Sequence, residues 1–349
     1  MASSPRWKRR PEGSTWGDFG ADDQLGRLNL LTPEKVRQGV AEVREGRVFC
    51  LSLPLDLPGG NILNPGRHPP VIRPTRRNGR PCFLYPASRD AAGRTDVMND
   101  DLAVIHLQYS TQWDSFAHAG QMFDADGDGV PEQCFYNGFR GGADVVWPSN
   151  ATGAFEEDDP ALTSAARAVG IETIAETCVQ GRGVMVDLRA HHGDARSRIG
   201  YDELMRVLEH DRVEVEAGDM VCLHTGFAQL VLEMGGRPDA ARLAKSCAVL
   251  HGRDQRLLRW ITDTGLVAIF ADNYAVEELP GPDQRGEAAF APLHEHCLFK
   301  LGVPLGELWH LTPLAQWLRE ARRTRFLLTA PPLRLPGAVG SPATPVATV

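Results

Sequence analysis

Paired cysteines are missing. Seven cysteines are scattered singly through 349 residues, with no CxxC pair and no zinc-finger spacing. That excludes a disulfide framework and suits a reducing, cytoplasmic setting. No run approaches the roughly 20 apolar residues of a membrane span, and the basic opening MASSPRWKRRPEG is followed by no apolar core of the kind a secretory signal needs. A membrane partner is therefore not expected. Positive charge is also short: 37 Lys and Arg stand against 45 Asp and Glu, a formal net charge of −8. Without a continuous basic face, nucleic acid is excluded as a partner. There is no GxSxG elbow, no GxxxxGK[ST] loop and no GxGxxG between a strand and a helix, so nucleotide cofactors are not expected.

A repeat of fixed period and a Ser- or Gly-rich linker are likewise absent, which favours one domain. Residues 1–13 read as a flexible arm and residues 14–349 as the domain. Thr32 is placed to cap a helix that Pro33 opens, with Val36, Val40 and Val43 at helical spacing. Short apolar runs at 47–55, 102–111, 183–188, 219–225, 266–271 and 325–330 predict buried strands. Amphipathic segments at 201–210 and 253–264, and one opened by Thr312 and Pro313, predict the helices between them. The alternation implies an α/β fold. From Asp56 to about Asn99 the chain is crowded with Pro, Gly and Arg and has no period, the composition of a long loop with a functional task.

The informative segment is HLQYSTQWDSFAHAG, residues 106–120. If extended, it puts Gln108, Ser110, Gln112 and Asp114 on one face, with His118 just beyond. A carboxylate, amide oxygens and an imidazole converging in this way suit a divalent cation that activates water. The same spacing equally describes a polar strand face bonded to a neighbouring loop. DADGDGVPEQCF, 124–135, imitates a calcium loop at Asp124, Asp126, Asp128 and Gly129. Its twelfth position is Phe135 where a bidentate glutamate belongs, so an acidic surface turn is the simpler reading. His191 and His192 follow a predicted strand, and as neighbours on an extended segment they face opposite ways. Asp272, Asn273 and Glu277 follow another strand, a position from which they can hold a pocket together.

TQWDSFAH resembles the HxGTHxDxPxH signature of the cyclase family, which includes kynurenine formamidase and isatin hydrolase. Gln108, Ser110, Thr111, Gln112, Asp114 and His118 fall on its positions. Further blocks at 181–193, 215–227, 271–281 and 292–311, and the tail FLLTAPPLRLPGAVGSPATPVA, follow in family order and cover most of 14–347. The resemblance implies a single-domain, cyclase-like swivelling β/β/α fold with a mixed β-sheet or barrel core and flanking helices. It further implies a metal-dependent hydrolase that opens a small cyclic amide or lactone or cleaves a formamide-like substrate. A ring-closing cyclase and a non-catalytic ligand-binding homologue are the alternatives.

By the same resemblance His118 donates and accepts the proton, and Gln108, Gln112, Asp114, His294 and Glu307 surround the metal, with His296 able to replace His294. Surface positions on a helix are the plain alternative for His294 and Glu307. Glutamine at two family histidine positions departs from the pattern. It resembles a larger TQWD-type branch and implies one divalent ion, zinc or manganese, or a weakly held one. Trp113 and the 56–99 region are expected to shape an aromatic-friendly pocket. The implied partners are a small-molecule substrate and further copies of the chain, in a homodimer or larger homo-oligomer.

Overall fold

In the computed structural model, which describes residues 6–147, 163–279 and 288–349, the chain is built on a nine-stranded mixed sheet. Its strands in chain order are β1 (Val48–Cys50), β2 (Gln112–Asp114), β3 (Gln180–Asp187), β4 (Met220–His224), β5 (Ala268–Ala271), β6 (Leu305–Glu307), β7 (Arg325–Thr329), β8 (Gly340–Pro342) and β9 (Val346–Thr348). Across the sheet the order is β1-β9-β7-β3-β4-β5-β6-β2-β8. The centre, β3-β4-β5-β6, is parallel. Both flanks are antiparallel.

The central strands are apolar at nearly every position because both of their faces are covered. Alternation sends Val184, Val186, Val221, Leu223 and Ile269 to one core. Met185, Met220, Cys222 and Phe270 go to the other. Four helices supply the cover: α1 (Pro33–Val40), α2 (Tyr201–Asp211), α3 (Gln255–Thr264) and α4 (Thr312–Glu320). Leu204, Val207 and Leu208 of α2 and Leu257, Leu258 and Ile261 of α3 join the first core. Leu314, Ala315 and Leu318 of α4 join the second. Each such side chain withdrawn from water contributes about 1.5–3 kcal/mol before entropy is counted.

The expected cap on α1 is present, with Thr32 Oγ1 accepting from the Lys35 amide at 3.4 Å. From that first turn Lys35 reaches inward. Its Nζ lies 3.1 Å from Asp219 Oδ1, and Asp219 is also gripped by Arg182 through Nε at 2.8 Å and Nη2 at 3.0 Å.

Two regions differ from expectation. Residues 6–13 lie against the body: Trp7 packs edge-on to Trp16 at 5.6 Å, and Arg6 pairs with Asp22. Residues 1–5 are outside the described residues. The irregular excursion holds three short ribbons, the longest pairing Val71–Pro74 with Asp101–Val104. Both of its strands are exposed along their whole length, because nothing among the described residues covers either face. No helix among the described residues is long and apolar enough to cross a membrane.

Candidate metal centre

The segment 106–120 is extended only over β2. Residues 107–110 form a turn, closed by the Tyr109 amide on the His106 carbonyl at 3.1 Å, so Gln108 and Ser110 fall outside the expected alternation. Gln112 and Asp114 do share a face, and Gln112 Nε2 lies 3.4 Å from Asp114 Oδ1. Trp113 points the opposite way, fully buried against Phe270 and Trp309 at 4.7 and 6.1 Å. It builds core and not pocket, a correction that period-2 geometry requires once Asp114 faces the site.

Register supplies the next residue. Antiparallel pairing puts Gln112 opposite Glu307 and Asp114 opposite Leu305 on one side and Gly340 on the other. Gln112 Nε2 donates to Glu307 Oε2 at 3.0 Å. A Cβ at residue 340 would meet Gln108 Nε2 at 2.4 Å. It would also stand 2.9 Å from the Trp113 carbonyl oxygen, a backbone contact that favours glycine there.

His294 ends the short helix Pro292–His294, which runs into a π-helix at Glu295–Leu301, a wide turn often found at functional sites. It is 7% exposed, so the surface-helix reading fails. Glu277 fixes it by accepting from the Leu293 and His294 amides and from His294 Nδ1 at 2.8 Å. Nε2 is thereby turned to Glu307 Oε1 at 3.3 Å. Gly252 makes room for this clamp, since a Cβ there would meet Glu277 Oε2 at 1.9 Å. His296 is turned away, bonded through Nε2 to Thr262 Oγ1 at 2.9 Å, which removes it as a replacement ligand. Ala275, Val276 and Leu308 all adopt left-handed backbone, at φ 76°, 58° and 55°. Strain of about 1–3 kcal/mol per residue therefore collects directly beside Glu277 and Glu307.

Asp114, His294 and Glu307 each bring one ligand atom within 4.8 Å of the others, and all three are buried. Burial pushes the Asp114 carboxyl above its ordinary range and Glu307 adds to it, against His118, His294 and Arg67. Burial works the same way on Glu307, but the His294 hydrogen bond and charge outweigh it and hold that carboxyl low. For His294 burial opposes the proton, yet bonding to Glu277 and Glu307 raises it to about 10. The cluster is short of positive charge.

Asp114 Oδ2 and Gln112 Oε1 are buried without a hydrogen-bond partner among the described residues. Orphaned buried oxygens beside two carboxylates fit a divalent cation as their missing partner. Glu277 then orients the imidazole as carboxylates commonly do behind metal-binding histidines. Glu277 was legible only as pocket support. Arg67, which holds the Gln108 carbonyl at 2.8 Å and offsets both carboxylates, carried no signal beyond its place in the irregular excursion.

His118 stands at the mouth. Its side chain is 23% exposed where Asp114 is wholly buried, with Nε2 3.8 Å from Asp114 Oδ1. It lines a cleft of about 830 Å³ with Met122, Phe135 and Trp147, which provide the aromatic wall expected of Trp113.

The other candidates resolve differently. Asp124, Asp126 and Asp128 sit in the loop between Gln121–Phe123 and Glu132–Cys134, two paired strands, and not between helices. Their oxygens accept from the amides of Gly127, Asp128, Gly129 and Val130, and Asp124 also from Arg9. His191 and His192 lie in a helical turn, Leu188–His192, and His191 bonds Asp211 at 2.9 Å. Asp272 anchors the chain after β4, accepting from Thr225 and Gly226.

Residues 51–278, well over half the chain, match the cyclase family. Among solved structures, a novel cyclase superposes with a TM-score of 0.71 at 27% identity over 96% of this chain and 97% of its own. An isatin hydrolase bound to the product analogue thioisatinate gives 0.54 at 13% over 91% and 99%. Isatin hydrolase A from Ralstonia solanacearum gives 0.52 at 16% over 90% and 97%. At those identities the two isatin hydrolases show a shared fold. No curated protein matches the chain.

Proposed function

Because the chain belongs to the cyclase family, we propose that it is a metal-dependent hydrolase acting on a C–N or ester bond of a small substrate. It opens a cyclic amide or lactone, or cleaves a formamide-like group. The observation that carries this reading is the pair of orphaned oxygens, Asp114 Oδ2 and Gln112 Oε1, in a buried cluster with Glu307 and His294. Asp114, Glu307, His294 and the Gln112 amide would hold the cation, a set richer in oxygen than nitrogen that suits manganese at least as well as zinc. A bound divalent ion supplies Lewis acidity, which brings water toward ionisation at neutral pH and polarises a carbonyl.

His118 takes the proton from the attacking water and returns it to the leaving nitrogen or oxygen, because its imidazole is half-buried at the edge of the cleft. Asp114, 3.8 Å from Nε2, supports the charge of the protonated imidazole. Phe135 and Trp147 support a flat, apolar substrate body such as an aromatic lactam. The glutamines, neutral where the family pattern has histidine, leave the cluster able to hold one ion, or one ion weakly.

We also propose a homodimer or larger homo-oligomer. Supporting it is the exposed ribbon carrying Ile72, Leu102 and Val104, apolar surface that water disfavours. Sedimentation across a concentration series checks this.

Metal analysis of the purified protein, paired with a turnover screen of lactones, cyclic imides, isatins and formanilides, tests the function. Near-stoichiometric Mn or Zn with chelator-sensitive hydrolysis is the expected result. A metal-free protein that hydrolyses one of these substrates at full rate would overturn the proposal.

A further inference from the structure

A second large hollow lies elsewhere. A cleft of about 870 Å³ opens between the C-terminal ends of α2 and α4, and it shares no lining residue with the cleft at His118. Its volume lies in the range of small-molecule sites. In a chain of net charge −8, six arginines line it against three carboxylates, Glu42, Asp187 and Asp211.

Those arginines are unequally engaged. Arg319 pairs with Asp187, and Arg325 with Glu214 and Glu216. Arg323 spends one nitrogen on Glu42, while its Nε and Nη1 are buried with no partner among the described residues. Buried N–H donors left without an acceptor are destabilising, so an acceptor delivered from outside has a place prepared for it.

Arg212 and Arg322 show the same thing through the backbone. Each follows the end of its helix in left-handed conformation, at φ 53° in both cases. Glycine is the usual residue at such a stop and any other is strained. Both arginines reach the cleft, and neither has a carboxylate within 4 Å among the described residues. Beneath them Met185, Val213 and Leu318 are apolar and buried.

We propose that this cleft binds a small organic oxyanion carrying two or more negative charges, a polyphosphate or a polycarboxylate, with its apolar body on Met185, Val213 and Leu318. Guanidinium forks match either oxyanion by bidentate bonding. Two strained arginines and one half-satisfied buried one are what a site awaiting such charge contains.

The test is calorimetric titration of the full-length, metal-loaded protein with inorganic pyrophosphate and, separately, citrate. Salt is set near 0.15 M, where diffuse surface attraction is screened beyond about 8 Å. One anion should saturate a single site per chain. Pyrophosphate as the tighter ligand assigns a polyphosphate, and citrate a polycarboxylate. The double variant Arg212→Gly with Arg322→Gly should bind at least about tenfold more weakly while its melting temperature holds or rises, since glycine relieves the left-handed strain. Absence of saturation by both anions, or equal affinity in the double variant, overturns the proposal.

Discussion

Two buried charged clusters lie on the same sheet and are built on opposite principles. At Asp219 two cations grip the buried carboxylate and share their charge with the exposed Glu216. Oδ1 takes Lys35 and Arg182, and Oδ2 takes Arg182 and the Glu216 amide, so neither oxygen wants a partner. At Asp114 two carboxylates face one imidazole and one amide, and two oxygens have no donor. The first cluster is closed and ties α1 to β3. The second is open, and its deficit is of the size and sign that a divalent cation fills. Saturation, more than burial or charge, separates a structural cluster from a working one.

The sharpest way to break that contrast is Asp114→Ala. It should abolish turnover, a rate loss of at least about 10,000-fold that corresponds to a barrier raised by ~5.4 kcal/mol, while the melting temperature of the metal-free protein stays level or rises as an uncompensated buried charge disappears. Activity within a few-fold of wild type rejects the site. Asp219→Ala should do the reverse. Urea unfolding should show a loss of about 3 kcal/mol, because Lys35 and Arg182 are left with only the exposed Glu216 carboxylate as an acidic partner, with turnover per folded molecule unchanged. A stable Asp219 variant would mean the closed cluster is ornamental.

His118→Ala sharpens the division within the open cluster. The rate should drop about 100-fold, the usual share of a positioned proton carrier, with metal content by mass spectrometry unaltered. Lost metal would make His118 a ligand. Gln108→His with Gln112→His should tighten zinc by about tenfold, or ~1.4 kcal/mol, in competition with a chromophoric chelator. Unchanged zinc affinity would show that these amides do not face the ion.

The smallest effect concerns acid. Arg182 bonding holds the exposed Glu216 carboxyl at about 2, against an ordinary value of 4.5. Its stabilising contribution is full above that ordinary value and fades as pH falls toward about 2. Glu216→Gln should therefore flatten the acid limb of a stability curve across that window. An acid limb that keeps its wild-type slope would place the pH sensitivity elsewhere.

What was legible from residues alone follows from range. The helix at Thr32 and Pro33, the apolar central strands and the pairing of Gln112 with Asp114 are local patterns, and they appear where spacing puts them. The turn at 107–110 was hidden, because Gln108 and Ser110 alternate as well on paper as in a strand. The side taken by Trp113 was decided once Asp114 faced inward. Glu307 opposite Gln112 depends on register between segments 195 residues apart, and Glu277 behind His294 on a contact across a 17-residue connection, to neither of which a local period points. His296 was plausible by spacing and excluded only by the course of the π-helix. The left-handed arginines at 212 and 322 look like ordinary helix-end cations until their backbone angles are known.

The alternation along β2 has a consequence for folding. A one-residue slip of this strand against β6 would drive the Trp113 indole among the carboxylates and push Gln112 and Asp114 into the Phe270 and Trp309 stack. Both exchanges are prohibitive, so misaligned chains find no partly stable resting place. The polar cluster thus proofreads the assembly of the sheet around it. Variants that make this strand uniformly apolar should lose fidelity of pairing along with chemistry, collecting as soluble, strand-rich species without a single native arrangement.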